Sequence, residues 1–301
     1  MWRFVKPSLD RFPPLYKCGN DSNVGASFCI LMFLILLTAC SSQTPIPDPS
    51  KPQRVAFHLQ YHFHGKHIKQ LQVFAILPPS IVRQQQILSR EYSLYPNTTA
   101  LQNGDSIGVF FFLEPLGDSV LLDISGTALL TPPADHGTTA ERLQLEKIQG
   151  EVSEHLRYSE QTRDISLDSA LKNGTGDCTE FAALGVRLCQ QHGFASHAVS
   201  GMHWRQNMSP FHSWTACTVK DGAEVLLDPT WVADPLPNGK SLEDSLTTMG
   251  LQRLRTLQGT SWHFVVSTHD DAMGASRWVS YRYAADAMRM EVTGSLELLG
   301  E

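Results

Sequence analysis

A cysteine, a histidine and an aspartate follow one another at positions 178, 212 and 228, each in a setting that suits nucleophilic chemistry. Gly174-Thr175-Gly176-Asp177-Cys178-Thr179-Glu180-Phe181-Ala182-Ala183-Leu184 reads as a glycine-rich turn running straight into a helix. Phe181, Gly185, Leu188 and His192 would share one face of that helix, and Gly193 would stop it. Cys178 then sits at or near the helix N-terminus, where unpaired N–H groups and the macrodipole favour an anion. Thiolate is the form of cysteine that attacks. An isolated cysteine at a helix start is more often a small buried residue, so the weight rests on its partners.

Those partners lie on a predicted hairpin. Phe211-His212-Ser213-Trp214-Thr215-Ala216-Cys217-Thr218-Val219 reads as one strand, and residues 223–227 as a second that ends at Asp228-Pro229-Thr230-Trp231. A three-residue loop at Lys220-Asp221-Gly222, with Gly222 left-handed, is a favoured turn. It pairs Val219 with Ala223, His212 with Thr230 and Trp214 with Asp228. His212 and Asp228 become diagonal neighbours on one face, about 7–8 Å apart at the backbone, close enough for a side-chain hydrogen bond. A two-residue loop would put them on opposite faces.

With Tyr158, Gly176-Asp177-Cys178, the stretch at 193–201, His212-Ser213-Trp214 and Leu227-Asp228-Pro229-Thr230-Trp231, the region 140–235 resembles the transglutaminase-like, papain-related superfamily. The resemblance implies that Cys178 is the nucleophile, His212 the base that takes its proton, and Asp228 the group that orients the imidazole and stabilises its cation. Trp214, Trp231 and Tyr158 become candidates for lining a substrate groove, with packing as the competing role. Animal transglutaminases place an oxyanion-stabilising tryptophan upstream of the nucleophile. No tryptophan occurs here between Trp2 and Trp204, which leaves the backbone N–H of Cys178 as one candidate donor.

The elements that must hold these residues divide by period. From Arg54 to about Leu130, Val55, Phe57, Leu59, Tyr61 and Phe63 alternate with polar neighbours, and apolar runs at 71–77, 107–113 and 120–124 are broken by Gly, Pro and Asp. That predicts a β-sandwich over 54–134. After Pro132-Pro133 the pattern turns helical, with Leu143, Ile148, Val152, His155 and Leu156 on one helix and residues 167–171 on a shorter one. The predicted fold is therefore α+β: a sandwich, then a transglutaminase-like cysteine domain over 135–301 with a helix packed on an antiparallel sheet. Alternating stretches at 264–266 and 278–283 would complete that sheet or edge its groove. His58, His62 and His64 share a strand face, but no carboxylate lies near them in sequence; they read as a solvated face, and no metal or other cofactor is expected.

Residues 28–39 form a twelve-residue apolar run, too short to span a bilayer and suited to an export signal. Leu37-Thr38-Ala39-Cys40 resembles the bacterial lipobox, which implies a leader over 1–39, lipidation at Cys40 and an anchor at the membrane. Residues 40–53, rich in proline, read as a tether. Ser41 implies outer-membrane sorting, facing the periplasm, in a Gram-negative cell. Hydrophobic residues at 42% and charged residues at 18% fit a globular protein. The chain carries −6 overall, and losing Arg3, Lys6, Arg11, Lys17, Asp10 and Asp21 with the leader leaves −8, a poor balance for binding nucleic acid. Of the six cysteines none shows zinc-finger spacing. Cys189 and Cys217 are expected as two buried free thiols, with a bridge as the alternative. The expected function is an envelope-anchored enzyme that cleaves or transfers peptide or amide acyl groups through a thioester, its partner a peptide or protein substrate. The alternative is a non-catalytic scaffold that keeps the fold.

Overall fold

Alternation along residues 55–63 produces the strand it predicts, with every second side chain buried. The computed structural model describes residues 3–5, 51–82, 84–113, 116–131, 136–159, 165–204, 211–230, 263–270 and 278–299. The first strands are β1 (Arg3–Val5), β2 (Gln53–Lys66), β3 (Gln70–Leu77), β4 (Gln85–Tyr92), β5 (Thr98–Gln102), β6 (Asp105–Leu113) and β7 (Ser119–Leu130). Helix α1 (Thr139–His155) follows, then β8 (Arg157–Tyr158), α2 (Leu167–Asn173), β9 (Thr175–Gly176) and α3 (Cys178–Gln191). The chain continues with β10 (Ala195–His203), β11 (Phe211–Thr218), β12 (Glu224–Leu227), β13 (His263–Asp270), β14 (Val279–Ala284) and β15 (Ala287–Leu299). No helix among the described residues is long and apolar enough to cross a membrane. Residues 28–39 and Cys40 lie outside the described residues.

Two sheets make the sandwich, in the orders β1-β14-β3-β6-β5 and β15-β2-β7-β4. Phe57, Tyr61, Phe63, Phe110, Leu122 and Tyr281 fill the space between them, with Phe63 edge-on to Tyr281 at 5.2 Å. Burying each such side chain stabilises the fold by roughly 1.5–3 kcal/mol. A third sheet, β12-β11-β10-β13, carries the helices. The expected boundary after residue 134 is therefore not a clean cut. Residues 278–283, expected to complete the catalytic sheet or edge its groove, do neither: β14 pairs with β3, and β15 pairs with β2 over its whole length. Trp278, Tyr281 and Tyr283 bury their rings in the sandwich core, which fixes that destination. Residues 264–266 do join the catalytic sheet, as part of β13 against β10.

Strand β13 is also stitched to the sandwich. Gln85 donates to the Val265 carbonyl (2.9 Å) and accepts from the Val265 N–H (2.7 Å). The buried Asp105 carboxylate accepts from Ser267 Oγ at 2.6 Å and from Thr268 N and Oγ1 at 2.9 and 2.8 Å. Phe264 and Val266 enter the sandwich core itself.

Helix α1 starts with a capping box in which Thr138 and Glu141 satisfy each other's backbone N–H groups. The second carboxylate oxygen of Glu141 accepts from Lys220 N (2.9 Å), tying the helix start to the β11–β12 turn. Helix α3 lies flat on β11. Gly185 makes this possible, because a Cβ there would come 2.3 Å from Thr215 Oγ1, and Thr215 Oγ1 donates to the Ala182 carbonyl (2.9 Å). Two residues on from Thr215, Cys217 faces the same helix, and the structure joins it to Cys189 in a disulfide with 6.8 Å between Cα atoms. The expectation of two free thiols is thus corrected: the close helix–strand approach brings the sulfurs together. Closing a loop of this span stabilises by about 3.6 kcal/mol in the chain-entropy view. Cys178 is the free cysteine among the described residues.

Candidate active site

The turn before α3 is locked from both sides. Gly174 ends α2 in the left-handed conformation (φ 67°), and β8 pairs in parallel with β9, placing Tyr158 beside Gly176. Ser159 N donates to the Gly176 carbonyl at 2.9 Å. Asp177 caps α3: its Oδ1 accepts from Thr179 N (2.9 Å), while Glu180 Oε2 accepts from Asp177 N (2.8 Å). Burial and the nearby Asp177 push the Glu180 carboxyl up to about 7. Cys178 is the first residue of the helix and is half-buried, so its sulfur is both at the dipole's positive end and reachable.

The hairpin closes in the expected register. Thr215 pairs with Leu227 and Thr218 with Glu224, Gly222 adopts φ 81°, and Val219 N donates to the Ala223 carbonyl (2.9 Å). His212 Nε2 donates to Asp228 Oδ2 at 2.7 Å, both side chains being over nine-tenths buried. Thr230 Oγ1 donates to the other oxygen, Oδ1, and lies 3.2 Å from His212 Nε2. With Nε2 so engaged, Nδ1 is the nitrogen left to face Cys178, which lies near enough to help raise the ring's pKa. Burial disfavours the charged imidazole, but the Asp228 charge and hydrogen bond, helped by Cys178, outweigh it and lift His212 to about 10. Asp228 is buried too, yet His212 and then His263 hold it well below the usual carboxylate range.

These shifts predict a pH window. His212 is raised in the folded state, so its contribution to stability is complete below about 6.5 and declines until pH passes about 10. The Tm difference between wild type and His212→Ala should therefore shrink on going from pH 6 to pH 10. A difference that stays constant over that range would contradict the ion pair.

Residues 130–233 match the profile of the transglutaminase-like superfamily. The chain carries a transglutaminase-like domain. Its fold is shared with the crystal structure of a candidate cysteine protease from Cytophaga hutchinsonii, at a TM-score of 0.52 and 12% identity over 83% of this chain and 99% of that one. The periplasmic domain of TgpA from Pseudomonas aeruginosa aligns over 68% of this chain and 93% of its own, with 10% identity and a TM-score of 0.29. Comparison with curated protein sequences finds no significant match.

Within the transglutaminase-like domain, Cys178, His212 and Asp228 are brought together. Trp214 is not a groove wall: it is fully buried, packs on Val199, Ala216, Leu226 and Val265, and stacks its ring 6.0 Å from that of His212. It is a floor under the imidazole. Tyr158 is half-buried with its ring 6.1 Å from Phe181, a packing contact beside the nucleophile's turn. Trp231 lies outside the described residues.

Two further residues join the expected ones at the site. Thr230 is expected only as the strand partner of His212, with no role at the carboxylate. No sequence signal marks His263, yet its Nε2 donates to Asp228 Oδ2 at 3.0 Å. His263 belongs to no local motif, and only the β10–β13 register, which pairs His203 with His263, reveals it. His212, Asp228 and His263 offer ligand atoms within 4.8 Å of one another, a set able to hold a metal ion, although direct hydrogen bonds already join them. The histidines of β2 do not gather: His58 bonds Asp123 on β7 at 2.5 Å, a carboxylate that sequence distance concealed, and the rings of His62 and His64 are 6.3 Å apart.

Proposed function

We propose that this chain is a cysteine enzyme of the cell envelope that acts on peptide or amide bonds through a thioester. The observation that carries the reading is the buried Asp228–His212 pair presented to a half-exposed thiol at the start of a helix. In such an arrangement the Cys178 sulfur attacks the carbonyl carbon while its proton resides on His212. The tetrahedral oxyanion collects hydrogen bonds, the backbone N–H of Cys178 being one candidate donor. His212 then gives its proton to the departing amine, the C–N bond breaks, and the acyl group remains on sulfur. Water, deprotonated by His212, releases the acid and restores the thiol; an amine in place of water would yield a new amide.

The test is turnover of a panel of peptides and glutamine amides by wild type and by Cys178→Ala. Equal rates for the two would leave a scaffold that keeps the fold as the surviving reading.

Placement at the envelope, lipidated on Cys40 and facing the periplasm, is supported by the short apolar run at 28–39 and the lipobox-like Leu37-Thr38-Ala39-Cys40. Expressed in a Gram-negative host, the wild-type chain should fractionate with membranes and Cys40→Ser should not. Membrane association unaffected by that substitution would rule out the anchor.

A further inference from the structure

We infer that His263 is a positioning residue of this site, a second imidazole that fixes the Asp228 carboxylate for His212; the inference rests on the cysteine-enzyme reading above. Asp228 Oδ2 receives two ring N–H groups, from His212 at 2.7 Å and from His263 at 3.0 Å, while Oδ1 receives the Thr230 hydroxyl. A carboxylate held by one donor can swing about χ2. One held by three, on both oxygens, has a single orientation. Because the carboxylate is ionised and only accepts, the His263 nitrogen facing it must carry the proton.

His263 is itself immobilised. It begins β13 with a side chain only 3% exposed, its ring lying 4.8 Å from His203 of β10 and 4.9 Å from Trp214 of β11, edge to face. Among the described residues, His203, His212 and Asp228 are titratable groups that face it. The strand behind it is pinned by Gln85 and Asp105 of the sandwich. The sandwich thus sets the position of a ring that sets the position of the aspartate, which in turn aims the base at the sulfur.

The test needs no substrate, because iodoacetamide reports the activated sulfur directly. The full chain is labelled at pH 6.5 and modification of the Cys178 peptide is followed by mass spectrometry, alongside free cysteine. Wild type should label at least about 10-fold faster than free cysteine. Glutamine places an amide N–H near the position of Nε2, so His263→Gln should keep more than about half of the wild-type rate. Asparagine falls short of Asp228, and His263→Asn should lose about 10-fold, the usual value of a hydrogen bond to a charged acceptor. Both variants are checked for folding by circular dichroism, and Gln is the milder replacement should Asn not fold. Equal loss in the Gln and Asn variants would mean that His263 acts through packing, and an Asn rate equal to wild type would mean no role at all; either overturns the inference alone. Wild-type labelling no faster than free cysteine would instead remove the cysteine-enzyme reading, and the inference with it.

Discussion

Cys178→Ala should reduce turnover of any responsive amide substrate by at least about 10⁴-fold, with the fold intact. The side chain is half-exposed at a helix start and outside the packed clusters, so removing its sulfur leaves no sizeable cavity. Helix α3 keeps its start, because the capping box is made by Asp177 and Glu180 rather than by the cysteine. His212→Ala should cost a similar factor, since in the proposed mechanism the imidazole takes the proton that the sulfur gives up. The double variant should then be little worse than either single one, the non-additivity expected of groups that act as a unit. The check is kcat/KM for the three variants together with circular dichroism. Losses that multiply would show two independent contributions and would count against a shared proton.

Asp228→Asn should lower kcat/KM by about 10² to 10⁴-fold. The substitution keeps the shape and removes the charge that holds His212 protonated. It also breaks the donor count. Two imidazole N–H groups and one hydroxyl now converge on a carboxylate, whereas an amide presents one oxygen and one NH₂. With its oxygen in the place of Oδ2 the amide still accepts from both rings, but its NH₂ then meets Thr230 Oγ1, which must turn from donor to acceptor. Asp228→Ala goes further by leaving both buried histidines without their acceptor, and should destabilise by roughly 3–5 kcal/mol where Asn costs less. Urea unfolding of both variants, set beside their kinetics, separates the two effects. An Asn variant with wild-type kcat/KM would mean that Asp228 merely closes the strand.

Much of this could be read before any coordinates, where the signal was local. Period-two alternation named β2 and its buried face, and a glycine-rich turn named the start of α3. The three-residue turn at Lys220-Asp221-Gly222 set the register that brings His212 to Asp228. What stayed hidden depends on contacts far apart in sequence. Strands β4 and β5 have largely exposed, irregular patterns, because each lies at a sheet edge and has little to bury. The Cys189–Cys217 bond follows from how closely Gly185 lets α3 settle on β11, a packing fact with no spacing rule behind it. His263 reaches Asp228 across 35 residues of chain. Nothing in its neighbours announces a role.

The way β13 is sewn into the sandwich bears on how freely this region can be exchanged between proteins. The segment that carries the superfamily pattern stops at residue 233, before β13 begins, so transplanting it alone would leave behind one edge of its own sheet. The recipient would receive Cys178, His212 and Asp228 but not the ring behind the aspartate, and β10 would present a raw hydrogen-bonding edge to solvent. Gln85 and Asp105, which tie β13 to the sandwich, would have to move with the segment for that ring to keep its place.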